Sequence, residues 1–437
     1  MEKLGVPGSV LSGNAHVNTC RRLDIEPQKG CPGGAKGSFP ENRKSDFHID
    51  PSNNPAVLHA QFDHLRSTCP LAFTLDKGGF WLLTRYADIK ASAADHNTFI
   101  SSVKAVVPSD PRGTRRPPLN YDPPNHTPYR TALDRTLRPQ RLERLRPLLE
   151  KHAEEELEKL LQRGGGDICT EFGANYAAWV ETEWLNLDHA SAPVLAETAA
   201  RWVNAWRQED AENVMKYSTR LYDIARALFA DRKDNPRDTA SDPATSLLAE
   251  QDEKGEPLKE EHLIGALRQS LVVGMVAPPL MLGGICNHLS EDQELQQRLR
   301  EEPGLIGPAV EEFIRLYVPY RGFSRTVSSK VEIHGRIIRP GQPVTMTYAA
   351  GNRDPQVFPR PHEFVLDRPN ISSHLGFGRG RHRCAGAPLA RMALQIAVSV
   401  ILKRTERFEV NGPLQFVRMP EMGIMSCPLR LIPSMAV

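Results

Sequence analysis

The stretch Phe377–Gly386, Phe-Gly-Arg-Gly-Arg-His-Arg-Cys-Ala-Gly, constrains this chain more than any other. One cysteine, Cys384, lies among Gly378, Gly380 and Gly386, with His382 two residues ahead of it. Glycines at such positions let the backbone take positive φ and let a large flat group come close. Pro388 suits a first helical turn, where its missing N–H costs no bond. Leu389, Ala393, Ile396 and Val400 then mark one face of a buried helix. The loop therefore presents a thiol at a helix N-terminus. Free N–H groups and the helix dipole are expected there to lower its pKa. A lone cysteine is ordinarily a small buried hydrophobe. Six fixed positions within ten residues turn this one into a candidate metal ligand.

The rest of the composition excludes more than it selects. Of 437 residues, 40% are hydrophobic and 25% charged, enough for a sizeable core. A net charge of +2 points neither to nucleic acid nor to an anionic membrane. No apolar run reads as reaching the roughly 20 residues of a bilayer span, and no signal-peptide pattern opens the chain. Seven scattered cysteines do not form a disulfide framework, and Cys20 and Cys31 lack a second pair for zinc. A cytoplasmic location is expected. Residues 1–45, rich in Gly, Pro, Ser and Lys, read as a flexible tail, and 46–437 as one domain.

In chain order, Phe80–Thr84 reads as a strand and Tyr86–Ala94 as a short helix. Residues 103–120 form a proline-rich basic loop carrying Lys104, Arg112, Arg115 and Arg116. It is either a solvated loop or a cover for a pocket. Asp122-Pro123-Pro124 is a helix-entry signal, and His126 and Arg130 then share a helix face able to grip carboxylates. Residues 140–235 are mostly helical, broken at Gly164–Gly166 and near Asn235-Pro236. Leu258 to about Leu289 is the longest apolar helical pattern, and Pro278-Pro279 is expected to kink it. Val331–Ile333, Arg336–Ile338 and Val344–Thr347 read as a β meander.

The cysteine stretch resembles the haem-binding loop of the cytochrome P-450 (haem-thiolate monooxygenase) family at each fixed position. The landmarks that follow the same order include Glu312-x-x-Arg315, Asn352-Arg353-Asp354-Pro355 and the segment Phe358–Arg368. The resemblance implies a mainly α fold with small β-sheets (α+β), a triangular prism in outline, holding haem b (iron protoporphyrin IX). It implies that Cys384 is the axial iron ligand, with Phe377, Gly378 and Gly386 shaping the loop. His126, Arg130, Arg325 and His382 would bind the haem propionates. Tyr320, Arg321, Phe323, Met275 and Met422 fall where side chains enter the substrate pocket. Trp202, Trp206 and Tyr217 are either lid or ordinary core. The basic residues Arg135, Arg138, Arg379, Arg381 and Arg383 suit an acidic ferredoxin-type donor, itself reduced through NAD(P)H and a reductase, or simply a solvated face.

The chain departs from the family at one place. The distal helix usually carries an acid and an alcohol that deliver protons. Aligned here without gaps, those positions fall in Val273-Gly274-Met275-Val276-Ala277, so the acid slot holds Val276 and the alcohol slot Ala277. Gly274 is retained. Neither replacement side chain carries a proton. The expected function is a monooxygenase inserting one oxygen atom of O2 into a small organic substrate. The alternative is a peroxide-dependent peroxygenase or oxidative-coupling enzyme, and a more remote one is a non-catalytic haem sensor.

Overall fold

Asn54 sets the start of the first helix: its side chain accepts from the Ala56 N–H and Pro55 fills the first turn of α1 (Pro55–Thr68). The computed structural model describes residues 44–108 and 115–434. The tail expected over 1–45 therefore lies outside the described residues, except for Lys44 and Ser45.

Helices follow as α2 (Tyr86–Ala94), α3 (His126–Thr136), α4 (Pro139–Leu142), α5 (Arg146–Leu161), α6 (Ala174–Trp184) and α7 (Ser191–Arg207). Next come α8 (Ala211–Asp234), α9 (Pro243–Leu248), α10 (Glu260–Glu291) and α11 (Gln293–Glu301). The last are α12 (Ile306–Leu316), α13 (Tyr348–Gly351) and α14 (Ala387–Arg404). Asp210, Asp242 and Asp292 cap α8, α9 and α11 by accepting from backbone N–H groups of the first turn.

The strands are short. β1 (Leu71–Thr74), β2 (Phe80–Leu83) and β3 (Phe99–Ile100) precede β4 (Gly165–Asp167). Then come β5 (Phe323–Val327), β6 (Val331–Ile333), β7 (Arg336–Ile338) and β8 (Pro343–Met346). β9 (Thr405–Val410), β10 (Gln415–Phe416), β11 (Ile424–Ser426) and β12 (Pro428–Pro433) close the chain. The largest sheet has the order β1-β2-β8-β5-β3, with β2 and β8 parallel. The expected meander is thus corrected: β6 and β7 form a hairpin around Gly335, whereas β8 leaves it for the larger sheet. The pattern Pro343–Met346 is buried throughout, which a central strand requires and a half-exposed meander strand does not.

Two apolar cores result. The larger joins α5, α6, α10, α12 and α14, and the smaller lies around the β1-to-β3 sheet with α1 and α2. α10 runs through the larger core as one uninterrupted helix of 32 residues with Pro278 and Pro279 inside it. It is long and apolar enough to span a bilayer, contrary to the sequence reading, but 67% of its most apolar window is buried in protein.

The segment leading to the cysteine loop is locked by charge. Glu312 and Arg315 pair at 2.7 Å with both side chains fully buried, and Arg368 joins Glu312 at 3.0 Å. Arg315 also donates to the carbonyls of Asn352, Pro361 and Glu363.

Candidate functional site

Cys384 sits where the loop must turn twice in left-handed backbone. Gly378 and Gly380 have φ of 68° and 76°, and a Cβ on Gly380 would meet the Ala93 carbonyl oxygen at 2.1 Å. The Cys384 N–H donates to the Phe377 carbonyl at 2.8 Å. The Arg391 guanidinium lies 4.5 Å above the Phe377 ring. The cysteine opens into a cavity whose other walls come from α3, α6, α10, α14, the Val318–Phe323 segment and the 117–119 loop.

The expected lowering of the thiol's pKa is corrected. The mass of protein around the loop pushes Cys384 up, although the residue itself is exposed on the cavity side, against the pull of the Gly386 N–H and of Arg130, Arg383 and Arg391. A bound metal cation supplies the charge that these groups alone do not, and deprotonates a coordinating thiol outright.

One edge of the cavity gathers cationic and imidazole groups. His382 and Arg325 line it, and His126 packs edge-on against His382 with ring centroids 4.6 Å apart. Both histidines keep a buried Nε2 without a hydrogen-bond partner among the described residues, that of His382 facing the Asp122 carboxylate at 3.8 Å. Burial, then the neighbouring His382, Arg130 and Arg381, push His126 down to about 3. Arg325 is buried, its Nη1 donating to the Ser324 carbonyl at 2.7 Å. It has no carboxylate within ion-pair distance among the described residues. Arg130 reaches the cavity too, yet its Nε is taken by Asp134 at 2.8 Å and its Nη1 by the carbonyls of Arg381 and Arg383. It ties α3 to the cysteine loop. Asp122 accepts from the Ser101 and Ser102 N–H groups, and its carboxyl is held well below the usual carboxylate range despite burial.

Opposite, α10 presents Ala266, Gln269, Val273, Gly274, Ala277 and Pro278. The spacing is one helical face. Ala277 is on the wall, whereas Val276 and Met275 are packed in the larger core. Tyr320 and Phe323 line the cavity. Arg321 does not: it is buried, with Nη2 on Asn53 Oδ1 at 2.7 Å and Nε on the Glu421 carbonyl at 3.3 Å. Met422 packs in the smaller core. Of the basic loop, Pro111 and Arg112 lie outside the described residues. Its second half lies on α10, where Arg116 donates to Gln269 at 3.2 Å and a Cβ on Gly265 would meet the Arg115 carbonyl at 2.1 Å. Pro117, Pro118 and Leu119 close that side.

Sequence reasoning missed Glu181 on α6, a cavity-wall residue that is 4% exposed. A signal existed. Its helical neighbours Ala177, Trp184 and Leu185, at i−4, i+3 and i+4, are all apolar and buried, so a carboxylate on that face is out of place.

A sulfur on one wall, with an orphaned His126 nitrogen, the neighbouring His382 and a buried guanidinium free of carboxylates among the described residues at one edge, fits a flat, iron-holding group bearing anionic substituents. The comparisons agree. Residues 175–428, more than half of the chain, match the family model described as Cytochrome P450. The chain is 30% identical over 388 residues to the mycinamicin IV hydroxylase/epoxidase of Micromonospora griseorubida, covering 86% of this chain and 95% of that protein. It is 29% identical over 375 residues to the linalool 8-monooxygenase of Pseudomonas putida, covering 81% and 90%. The crystal structure of CYP108D1 from Novosphingobium aromaticivorans superposes with a TM-score of 0.77 at 26% identity, covering 86% of this chain and 95% of that one.

Proposed function

The chain belongs to the cytochrome P450 family, and from that premise we propose that it oxidises a small, largely apolar substrate with O2, using electrons from a separate ferredoxin-type donor. Its general class, a P450 monooxygenase holding haem b and drawing on NAD(P)H through a redox partner, follows from the family and from relatives named hydroxylase, epoxidase and monooxygenase. When bound, the haem supplies the iron at which dioxygen is activated and one oxygen atom inserted.

The carrying observation is a single one: Cys384 shares a cavity with Arg325 and His382. In this reading the Cys384 Sγ would hold the haem iron, steadied by the Gly386 N–H and by Arg130, Arg383 and Arg391. His126, His382 and Arg325 take the carboxylate edge, and the unspent donors of His126 and Arg325 support that role. Arg130 contributes mainly by fixing the loop. Phe377, with Arg391 stacked on it, lines the cavity beside the sulfur. Tyr320, Phe323, Val273 and Ala277 shape the substrate side, and the 117–119 prolines exclude solvent. Exposed Arg135, Arg138, Arg381 and Arg383 offer a basic face to an acidic donor. The fold reads as one domain over 46–437 with α10 packed inside it, and a cytoplasmic location belongs to this reading.

The second reading, a peroxide-driven peroxygenase or oxidative-coupling enzyme, is favoured by one observation: α10 offers the cavity no acid and, at Ala277, no alcohol. Reduction under carbon monoxide tests the first premise, since thiolate ligation moves the Soret band to its diagnostic long wavelength. Turnover with NAD(P)H, ferredoxin and reductase, against turnover with peroxide alone, then separates the two readings.

A further inference from the structure

Glu181 is the one carboxylate among the described residues on the wall of the cavity that holds Cys384. It has no salt-bridge partner among them, and its Oε2 is buried without a hydrogen bond. Burying an ionised carboxylate without a partner costs several kcal/mol or more, so the group stays protonated. Burial alone pushes it up to about 8.

α10 is shaped around this carboxyl. A Cβ on Gly274 would stand 1.9 Å from Glu181 Oε1, so the carboxyl rests against the bare backbone of this residue and would have to shift to admit a side chain. One turn on, Pro278 has no N–H to donate to the Gly274 carbonyl, its i−4 partner. That carbonyl is left without its usual helical donor. Gly274, Ala277 and Pro278 share the cavity wall with Glu181. The carboxyl thus lies against the same turn of α10 whose own acid and alcohol positions hold valine and alanine.

We propose that Glu181 is the proton-delivery residue of this enzyme, an acid supplied from α6 in place of the pair missing from α10. The inference rests on the dioxygen-dependent reading above. That reaction consumes RH, O2, two electrons and two protons and yields ROH and water, the electrons coming from the redox donor. Glu181 Oε–H releases a proton into the cavity, becomes a carboxylate, and takes a proton back from cavity water. It is unchanged after each turnover. A pKa close to the working pH serves both halves of that exchange.

The test compares the haem-loaded full-length protein with Glu181→Gln, which preserves shape, and Glu181→Asp, which preserves the acid. At neutral pH the infrared spectrum of the wild type should contain the carbonyl band of a protonated carboxylic acid, absent from Glu181→Gln. With NAD(P)H, ferredoxin and reductase, Glu181→Gln should lose product per electron by about ten-fold or more, with the electrons recovered as hydrogen peroxide. Its carbon monoxide spectrum and substrate-binding spectral shift should be unchanged, and Glu181→Asp should recover part of the coupling. Equal coupling in wild type and Glu181→Gln, or no infrared difference, overturns the assignment alone. Weaker substrate binding with coupling intact also overturns it, making Glu181 a substrate anchor. Wild-type turnover with peroxide but never with O2 and donor would instead overturn the functional reading itself, and this proposal with it.

Discussion

Glu312 and Glu181 are both hidden from solvent, 0% and 4% exposed, yet they live in opposite surroundings. Glu312, on the cysteine side, accepts from Arg315, Arg368 and the Val365 N–H. Glu181, on the opposite wall, has a carboxyl oxygen with no hydrogen-bond partner among the described residues. A buried charge that is fully matched holds a structure in place, and a buried acid left unmatched is held ready for a proton. The support beneath the cysteine is therefore rigid and spent, while the facing wall keeps its one carboxylate among the described residues in reserve.

The largest test removes the feature both regions serve. Cys384→Ala should abolish the thiolate-type carbon monoxide band and bring turnover to background. Retention of that band would dissolve the whole comparison. Next, Glu312→Gln should destabilise the chain by about 3–5 kcal/mol in urea unfolding, because Arg315 and Arg368 are left buried with uncompensated charge. Glu181→Gln should do the reverse at neutral pH and stabilise. Matching signs would show the two carboxylates to be equivalent after all.

The pH dependence sharpens this. The Glu181 carboxyl is raised from 4.5 to about 8 in the folded chain. Between those values the folded state keeps a proton that the unfolded state has lost, so wild-type stability falls as pH rises through that window. The stabilisation by Glu181→Gln should accordingly be absent below the lower value and reach a few kcal/mol, in order of magnitude, above the upper one. Thermal unfolding of both proteins across that range reads it directly. The smallest effect belongs to Gly274→Ala. It should cost no more than about 1 kcal/mol in the wild type, since the end of the Glu181 side chain can give way, and less in a Glu181→Ala background.

Much of this was legible beforehand because it depends on local chain chemistry. The glycines of Phe377–Gly386, Pro388 after them, the Glu312–Arg315 spacing and the period of α10 each act within a few residues, and the structure contains the corresponding turns, pair and helix. Arg321 shows the limit. Its neighbours Tyr320 and Phe323 reach the cavity, but Asn53, far away in sequence, draws its guanidinium elsewhere. Strand β8 left its expected meander for a like reason, since its partners β2 and β5 come from distant segments.

By itself, then, the sequence determined the cysteine, the loop that presents it, the helical character of the chain and the missing acid and alcohol on α10. Only the tertiary structure decided that α6 lays a carboxyl against Gly274. The thiol's balance between burial and nearby arginines was settled there too. Both depend on desolvation by side chains brought together from separate helices, and desolvation has no signature in the order of residues along one of them.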